Sequence, residues 1–584
     1  MTFFKRPAGQ LLLIMAIGVL AYANSFQVPL LFDDATSITE NPVIRNLGTF
    51  MGSAGYLYNP RRFVGYLTVA LNYRLGGLDV TGYHIFNLAV HIGSACLVYL
   101  LASLTLATPF FRAPGKETDN GSTSQDTRTL LPLVAALLFV AHPVQTQAVT
   151  YIIQRIASLA TMFYLLSLVL YVKGRLYRQS SGSPATGRKA ALFGTSLVCA
   201  LLAMKTKEIA FTLPLVVLLY EYFFFGISGR KWLYLLLPVI ICLLVVPLSL
   251  LDSDLPLGKL LSDVTQKTRL DTDLPRLDYL FTQFRVIVTY LRLLIFPARQ
   301  NLDYDYPVYH ALSAAPVFLS LLLLLALLGL ALHLFLFSAG KTGRLFPGAS
   351  AELRATATRH EARLVSFGIG WFFITLSVES SVIPIVDVIF EHRLYLPAVG
   401  ACLAAAVLCC ALLRVYPGKR SRNAVAALVL LLAVLTWQRN EVWRDGVSLW
   451  SDVVSKSPDK ARPHLNLGAE LMLVGRTEQA VEQFRRAAAL KPDYAEAYVN
   501  LAAAYHAMGK IDEAIEACSV ALRIDPDNAD ALNNLGTSFA LRGEFDYAMA
   551  YFRGALQLRP DSARYRYNLA QAQRDKELKA RGLE

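Results

Sequence analysis

Charge is scarce in this chain. Only 17% of its 584 residues are Asp, Glu, Lys or Arg, against about 25% in an ordinary soluble domain. With 55% of residues hydrophobic, the surplus points to many buried spans and not to one large soluble core. Cysteine is thin as well. Cys96, Cys199, Cys242, Cys402, Cys409 and Cys410 lie in apolar runs and Cys518 in a repeat helix, none with zinc-ligand spacing to histidine. No disulfide framework can be read from them, and they look like small core residues. Acidic residues are outnumbered, giving a net charge of +13. No basic face interleaved with aromatics lies on a soluble segment, so nucleic acid is not an expected partner. Lys and Arg gather instead in short connections between apolar runs, as cytoplasmic loops do.

The apolar runs predict about eleven membrane spans, near 10–24, 83–106, 130–142, 150–172, 190–204, 209–226, 232–251, 314–337, 364–382, 396–413 and 423–437. The segments 173–189, 230–231, 338–363 and 414–422 are rich in Lys and Arg. With an inside N-terminus, all four fall on the cytoplasmic side, as the positive-inside rule requires. That parity needs the run 279–297 not to cross, and its Arg285 and Arg292 would be costly against lipid. An interfacial or re-entrant helix is the cheaper reading. Ala21-Tyr22-Ala23 resembles a signal-peptidase site, but an uncleaved first span suits so membranous a chain better. The outer side then receives 25–82, 252–313, 383–395 and everything after 437. Asn120-Gly121-Ser122 matches a glycosylation sequon but falls inside.

A second pattern begins near residue 441. Ala461, Ala495, Ala529 and Ala563 are each 34 residues apart, and Gly475, Gly509 and Gly543 and Pro492, Pro526 and Pro560 keep the same step. This is the tetratricopeptide signature, with Gly at the turn between paired helices and Pro after the second helix. The fold expected is all-α: a polytopic membrane domain over 1–440, then an α-solenoid over 441–584. Asn466, Asn500, Asn534 and Asn568 share the period. On the concave face, their amides suit binding of an extended peptide, because each can accept and donate at once. The alternative is that they only bond between repeat helices.

Polar motifs collect at the outer ends of the spans. Asp33 and Asp34 follow the first span directly. Neighbouring residues cannot face the same way, so one could serve as a base while the other caps a helix or binds a cation. The bland alternative is a solvated juxtamembrane turn. Further clusters are Arg61-Arg62, His84 with His91, His142-Pro143, Gln154-Arg155, Lys205 with Lys207-Glu208, Asp303 with Asp305, and Glu391-His392-Arg393. Acids and cations from separate loops are what a site for an anionic, membrane-embedded substrate needs. No compact ligand spacing supports a metal, although a divalent ion joining Asp33 and Asp34 is left open.

These residues resemble a known pattern. Phe32-Asp33-Asp34, Tyr83-His84 with Asn87 and His91, His142-Pro143 with Arg155, Lys207-Glu208, Asp303-Tyr304 and Glu391 through Pro397, followed by the repeats, are similar to the transmembrane and tetratricopeptide repeat containing family and its bacterial relatives. The resemblance implies a C-type membrane glycosyltransferase fold related to protein O-mannosyltransferases. It also implies an enzyme that moves a sugar from a polyprenyl-phosphate carrier to a hydroxyl of a protein or glycan, on the periplasmic side of a bacterial inner membrane. Carried over residue by residue, Asp33 or Asp34 would be the base, with Asp33 favoured as the first acid. Arg393 would hold the donor phosphate, with His392, Arg62, Arg155 and Lys207 as further candidates. The partners implied are the lipid-linked sugar, membrane lipid, and a protein acceptor held by the repeats. The chain departs from the family at Gln145, where His is frequent, and at Pro60-Arg61-Arg62-Phe63, where Tyr-Arg-Pro is frequent. With no second carboxylate nucleophile evident, direct displacement would invert the anomeric centre. The competing readings are a membrane-anchored repeat adaptor without enzymatic activity and, less favoured, a transporter or flippase, although the internal symmetry common in transporters is not visible.

Overall fold

The computed structural model describes residues 6–112, 123–177, 185–226, 274–341 and 358–581. The expected span 232–251 and the stretch 252–273 lie outside the described residues, as do most of the loops 113–128 and 342–357. Every regular element among the described residues is helical, and the chain divides into two units. The first is Met1–Leu302 with Tyr306–Arg444, and the second is Asp303–Asp305 with Asp445–Glu584.

The first unit contains α1 (Pro7–Tyr22), α2 (Phe63–Gly76), α3 (Val80–Thr105), α4 (Thr123–Ala141), α5 (Arg155–Leu176), α6 (Ala185–Met204), α7 (Leu213–Tyr220), α8 (Arg276–Ile295), α9 (Ala315–Ser338), α10 (Arg359–Leu376), α11 (Pro397–Val415) and α12 (Lys419–Val442). Seven helical stretches among the described residues are long and apolar enough to cross a membrane. An eighth arises if the pair Thr129–Ala141 and Pro143–Val149, bent by 53°, counts as one span. Pro143 has no N–H to give and disfavours a helical His142, so the break falls there. Pro7–Tyr22 is apolar but shorter. Arg359, Glu361 and Arg363 make the start of α10 polar. The helix α8 is amphipathic, with Tyr279, Gln283, Val286, Ile287, Tyr290 and Leu293 buried and Leu277 and Ile295 exposed. That arrangement fits a helix that does not cross.

Helix α3 packs against both α4 and α5, α5 packs against α6, α11 lies against α4, and α9, α10 and α11 form a second row. The α10–α11 crossing is close. A Cβ on Gly368 would stand 2.5 Å from the Gly400 carbonyl oxygen, and one on Gly400 would stand 2.5 Å from the Gly368 oxygen. Close backbone approach through small residues is how membrane helices gain packing without a hydrophobic driving force. Trp371 fixes the register by donating from Nε1 to the Leu396 carbonyl at 3.0 Å.

The boundary between units falls a few residues beyond the expected one. Helix α12 continues past its apolar run to Val442, and Trp443 is fully buried in the first unit against Tyr151, ring centroids 5.4 Å apart. Asp445 then caps α13 (Gly446–Lys456), accepting from Ser448 N at 2.7 Å. Three helix pairs follow: α14 and α15 (Ala461–Leu473, Thr477–Leu490), α16 and α17 (Ala495–Ala507, Ile511–Ile524), and α18 and α19 (Ala529–Leu541, Phe545–Leu558). The final helix is α20 (Ala563–Ala580). Gly475, Gly509 and Gly543 end the first helix of each pair with φ of +77°, +72° and +74°, the left-handed conformation that glycine adopts without a Cβ penalty. Gly468 and Gly536 leave room for Phe484 and Phe552, whose rings stand 2.5 Å and 2.8 Å from where a Cβ would be.

Candidate functional site

The two acids are separated by the residue before them. Phe32 has φ of 53°, a left-handed conformation that costs a bulky side chain about 1–3 kcal/mol and persists only where surrounding contacts impose it. Beyond this turn Asp34 points inward, 1% exposed, while Asp33 is exposed. Asp34 Oδ1 accepts from Ile153 N at 2.8 Å and Oδ2 from Leu31 N at 3.1 Å. Both oxygens are thus committed to backbone, and they tie the turn to the start of α5. Burial pushes the Asp34 carboxyl up to about 7; the two N–H donors and Arg155 work against that, and the Asp33 charge adds to it.

Asp33 is held by Tyr151. Its amide donates to the Tyr151 hydroxyl at 2.9 Å, and the same hydroxyl bonds the Asp33 carboxylate. Burial first, then the Asp33 and Asp34 charges, keep the phenol well above its ordinary range. It therefore stays protonated and can donate. The Tyr151 ring is fixed between Phe32 and Trp443, centroids at 6.4 Å and 5.4 Å.

The cations fall into two groups. Arg62, Lys207 and Arg393 surround His392, whose imidazole is held well below its usual range by burial and then by Lys207, Arg393 and Arg62. His392 is therefore neutral. Lys207, buried at the start of the 208–225 helix, pairs with Glu379 at 2.8 Å, and Arg62, before α2, faces Glu208 at 3.5 Å. Arg393 donates to the Asp387 and Val388 carbonyls at 2.7 Å and 3.2 Å. Glu379 and Asp387 also act on the Arg393 charge, and Arg61 joins the cations facing Glu208. Arg155 stands apart from this group. It is fully buried, bonded to Asn72 and to the Tyr83 carbonyl, and lies over the Tyr83 and Phe86 rings at 5.2 Å and 4.8 Å. Its charge reaches Asp34, so it belongs with the buried anchor.

A frame that the sequence did not reveal holds the second group. Glu391 accepts from Gln300 Nε2 at 2.8 Å and Asn301 N at 2.7 Å, and Gln147 joins His392 N at 3.0 Å to the Asn301 carbonyl at 3.2 Å. These contacts knit the loops after α4, after α8 and before α11. Gln147, Tyr151 and Glu379 were missed as contributors, because each sits among ordinary polar neighbours such as Thr146, Thr150 and Ser380, with no motif to mark it. Among the described residues no three His, Cys, Asp or Glu side chains gather as a metal site would need. His84, His91 and His142 each spend a ring nitrogen on a backbone carbonyl, and His91 also meets the Tyr395 hydroxyl at 2.7 Å.

In the second unit Asp303 is gripped by Lys460 at 2.5 Å and by Arg462 through Nη2 and Nε at 2.6 Å and 2.7 Å. It is only 2% exposed, so the acid read among the outer loops belongs with the repeats. The four periodic asparagines are all half-buried. Asn534 Nδ2 donates to the Val499 carbonyl at 3.3 Å and Asn568 Nδ2 to Asn533 Oδ1 at 2.8 Å, each reaching the preceding repeat. Asn466 Nδ2 is buried with no partner among the described residues.

A bundle of membrane-length helices followed by stacked helix pairs defines a class, the membrane proteins with a tetratricopeptide repeat solenoid. Tetratricopeptide repeat models match residues 471–536 and 521–563. The chain is 28% identical over 529 residues to "Protein O-mannosyl-transferase Tmtc3" of Drosophila melanogaster, covering 83% of this chain and 56% of that protein. It is 27% identical over 499 residues to "Protein O-mannosyl-transferase F38B6.6" of Caenorhabditis elegans, covering 82% and 62%. Among solved structures, the Arabidopsis OM64 TPR domain is 24% identical with a TM-score of 0.19, covering 20% of this chain and 94% of that one. The chain is thus similar to proteins named as O-mannosyl-transferases, and it spans a little over half the length of these two relatives.

Proposed function

We propose that this chain is a membrane glycosyltransferase that moves a sugar from a polyprenyl-phosphate carrier to a hydroxyl of a protein acceptor, on the non-cytoplasmic side. The relatives' names make mannose the first sugar to try. The observation that carries the reading is the division of labour between adjacent acids. Asp34 spends both oxygens on backbone, whereas Asp33 is exposed and fixed by Tyr151.

In this reading the Asp33 carboxylate takes the proton of the acceptor hydroxyl. The acceptor oxygen bonds the anomeric carbon as the bond from that carbon to the phosphate oxygen breaks, and polyprenyl phosphate leaves. Displacement from the opposite face inverts the anomeric centre. Arg393, Lys207 and Arg62 stabilise the charge gathering on the leaving phosphate. A neutral His392 can donate one hydrogen bond without adding a fourth positive charge. Arg155 acts at one remove, by supporting Asp34 and the turn. The repeats hold the acceptor polypeptide along their concave face.

The test is transfer of labelled sugar from polyprenyl-phosphate sugar by the purified chain and by its Asp33→Asn variant. The variant should fold, melt like the wild type and lose at least a hundredfold in rate, the scale of a general base. Near-normal transfer by the variant would refute the base assignment.

A further inference from the structure

Helix α10 joins two ends of the first unit. Its C-terminus leads to Glu379, the partner of Lys207. Arg363 lies one turn inside its N-terminus, about 20 Å along the axis from Leu376 at 1.5 Å per residue. This arginine is 6% exposed, and its guanidinium carbon stands 4.2 Å, 4.5 Å and 5.5 Å from the ring centroids of Phe335, Phe110 and Phe223. Its Nε is buried with no hydrogen-bond partner among the described residues.

Ring faces attract a cation but give its in-plane N–H groups no acceptor. A buried charge of this kind needs an anion. The carboxylates described at this end are engaged elsewhere. Glu361 accepts from Arg414 at 2.8 Å and caps the Thr358 amide at 3.0 Å. Glu221 accepts from Arg175 at 2.5 Å and 2.8 Å and from Tyr171 at 2.9 Å. The exposed Arg359 stands one turn before Arg363 on the same helix, and the helix N-terminus itself favours an anion. Running away from Phe335 on the same face of α9 are Leu332, Leu328 and Leu325, each well exposed, and Tyr222 stacks on Phe335 at 5.2 Å while half exposed. An anionic head beside Arg363 and apolar chains along this face would together satisfy both features.

We propose that Arg363, walled by Phe110, Phe223 and Phe335 and assisted by Arg359, binds the phosphate of an anionic phospholipid whose acyl chains follow the Leu325–Leu328–Leu332 face. The site lies at the opposite end of α10 from the Lys207–Glu379 pair and does not depend on the transferase reading.

The test uses the full chain in detergent. Binding of dioleoylphosphatidylglycerol and of dioleoylphosphatidylcholine is counted by native mass spectrometry, and inorganic phosphate is added in a third arm. The wild type should retain phosphatidylglycerol in preference to phosphatidylcholine. Arg363→Met, which fills the aromatic box without a charge, should bind phosphatidylglycerol about tenfold more weakly, as loss of a charge-assisted contact implies, with phosphatidylcholine binding unchanged. Arg359→Gln, on the surface and safe for folding, should lose about threefold, a fraction of that effect. Three results would overturn the proposal. They are equal retention of both lipids by the wild type, unaltered selectivity in Arg359→Gln together with any folded Arg363→Met, and displacement of the lipid preference by millimolar inorganic phosphate, which would make this a site for the soluble ion.

Discussion

At the scale of single residues, the burial of Asp34 and the exposure of Asp33 make opposite predictions for the same substitution. Asp34→Asn places an amide N–H against a backbone N–H that the carboxyl group accepted, so near pH 4, before the Asp34 charge begins to cost stability, it should lower the melting temperature by an amount worth about 1–3 kcal/mol. Asp33→Asn should leave the melt unchanged. A pH series refines this. The folded Asp34 carboxyl lies near 7, above its ordinary 3.8. Between these values the folded chain holds a proton that the unfolded chain has released. Asp34 therefore lowers stability progressively as pH rises from about 4 to about 7, by up to about 4 kcal/mol. Thermal melts across that range should show the wild type losing ground to Asp34→Asn as pH rises. A constant difference would mean that Asp34 titrates normally. Tyr151→Phe should melt within a degree or two of wild type, slow transfer about tenfold, and move the acid limb of the rate profile to higher pH, since it removes a hydrogen bond to the ionised Asp33. A merely structural Tyr151 would leave that limb in place.

The adjacent acids were legible in the sequence, and so was the rule that neighbours face apart. Which acid faces which way was not. The answer lies in the left-handed Phe32, and sequence marks such turns only when a glycine or asparagine supplies them. Arg155 illustrates the same limit. An arginine at the end of an apolar run reads equally as a phosphate ligand or as a buried strut, and only its contacts with Asn72, Tyr83 and Phe86 distinguish the two.

At the scale of elements, the 34-residue period carried the repeats into place, because three coincident features (alanine, glycine and proline) fix both helices and their turn. The membrane helices were legible as apolar runs and basic connections, but their packing was not. The Gly368–Gly400 crossing leaves no trace in hydropathy. Gly400→Ala should destabilise the first unit by about 1–3 kcal/mol, as overpacking does, whereas Gly52→Ala, with open space at its Cβ position, should not lower the melt. In the second unit, burial resists the Asp303 charge, but Arg462 and Lys460 outweigh it and hold the carboxyl below its ordinary range. Its stabilising contribution is present above about pH 4 and is lost as pH falls through the depressed value. Asp303→Asn should cost about 2 kcal/mol at neutral pH, a buried-pair value discounted because both cations are partly solvated. Limited proteolysis near residues 303–305 would report it.

At the scale of the whole molecule, the proposed function would join a lipid-linked donor, Asp33 as base and a peptide held by the repeats in one chain. The order of these parts was legible in the sequence, since a membrane domain, its polar loops and the repeats follow one another with little overlap. The association of Asp303–Asp305 with the repeats was not, because it joins residues some 150 positions apart. The central claim is that the membrane unit performs sugar transfer. The most direct measurement is incorporation of radiolabelled mannose from polyprenyl-phosphate mannose into an acceptor protein, by the purified full chain in liposomes. The account predicts alkali-labile, hydroxyl-linked label that disappears with Asp33→Asn. No transfer above empty liposomes with any of several lipid-phosphate sugars would contradict it.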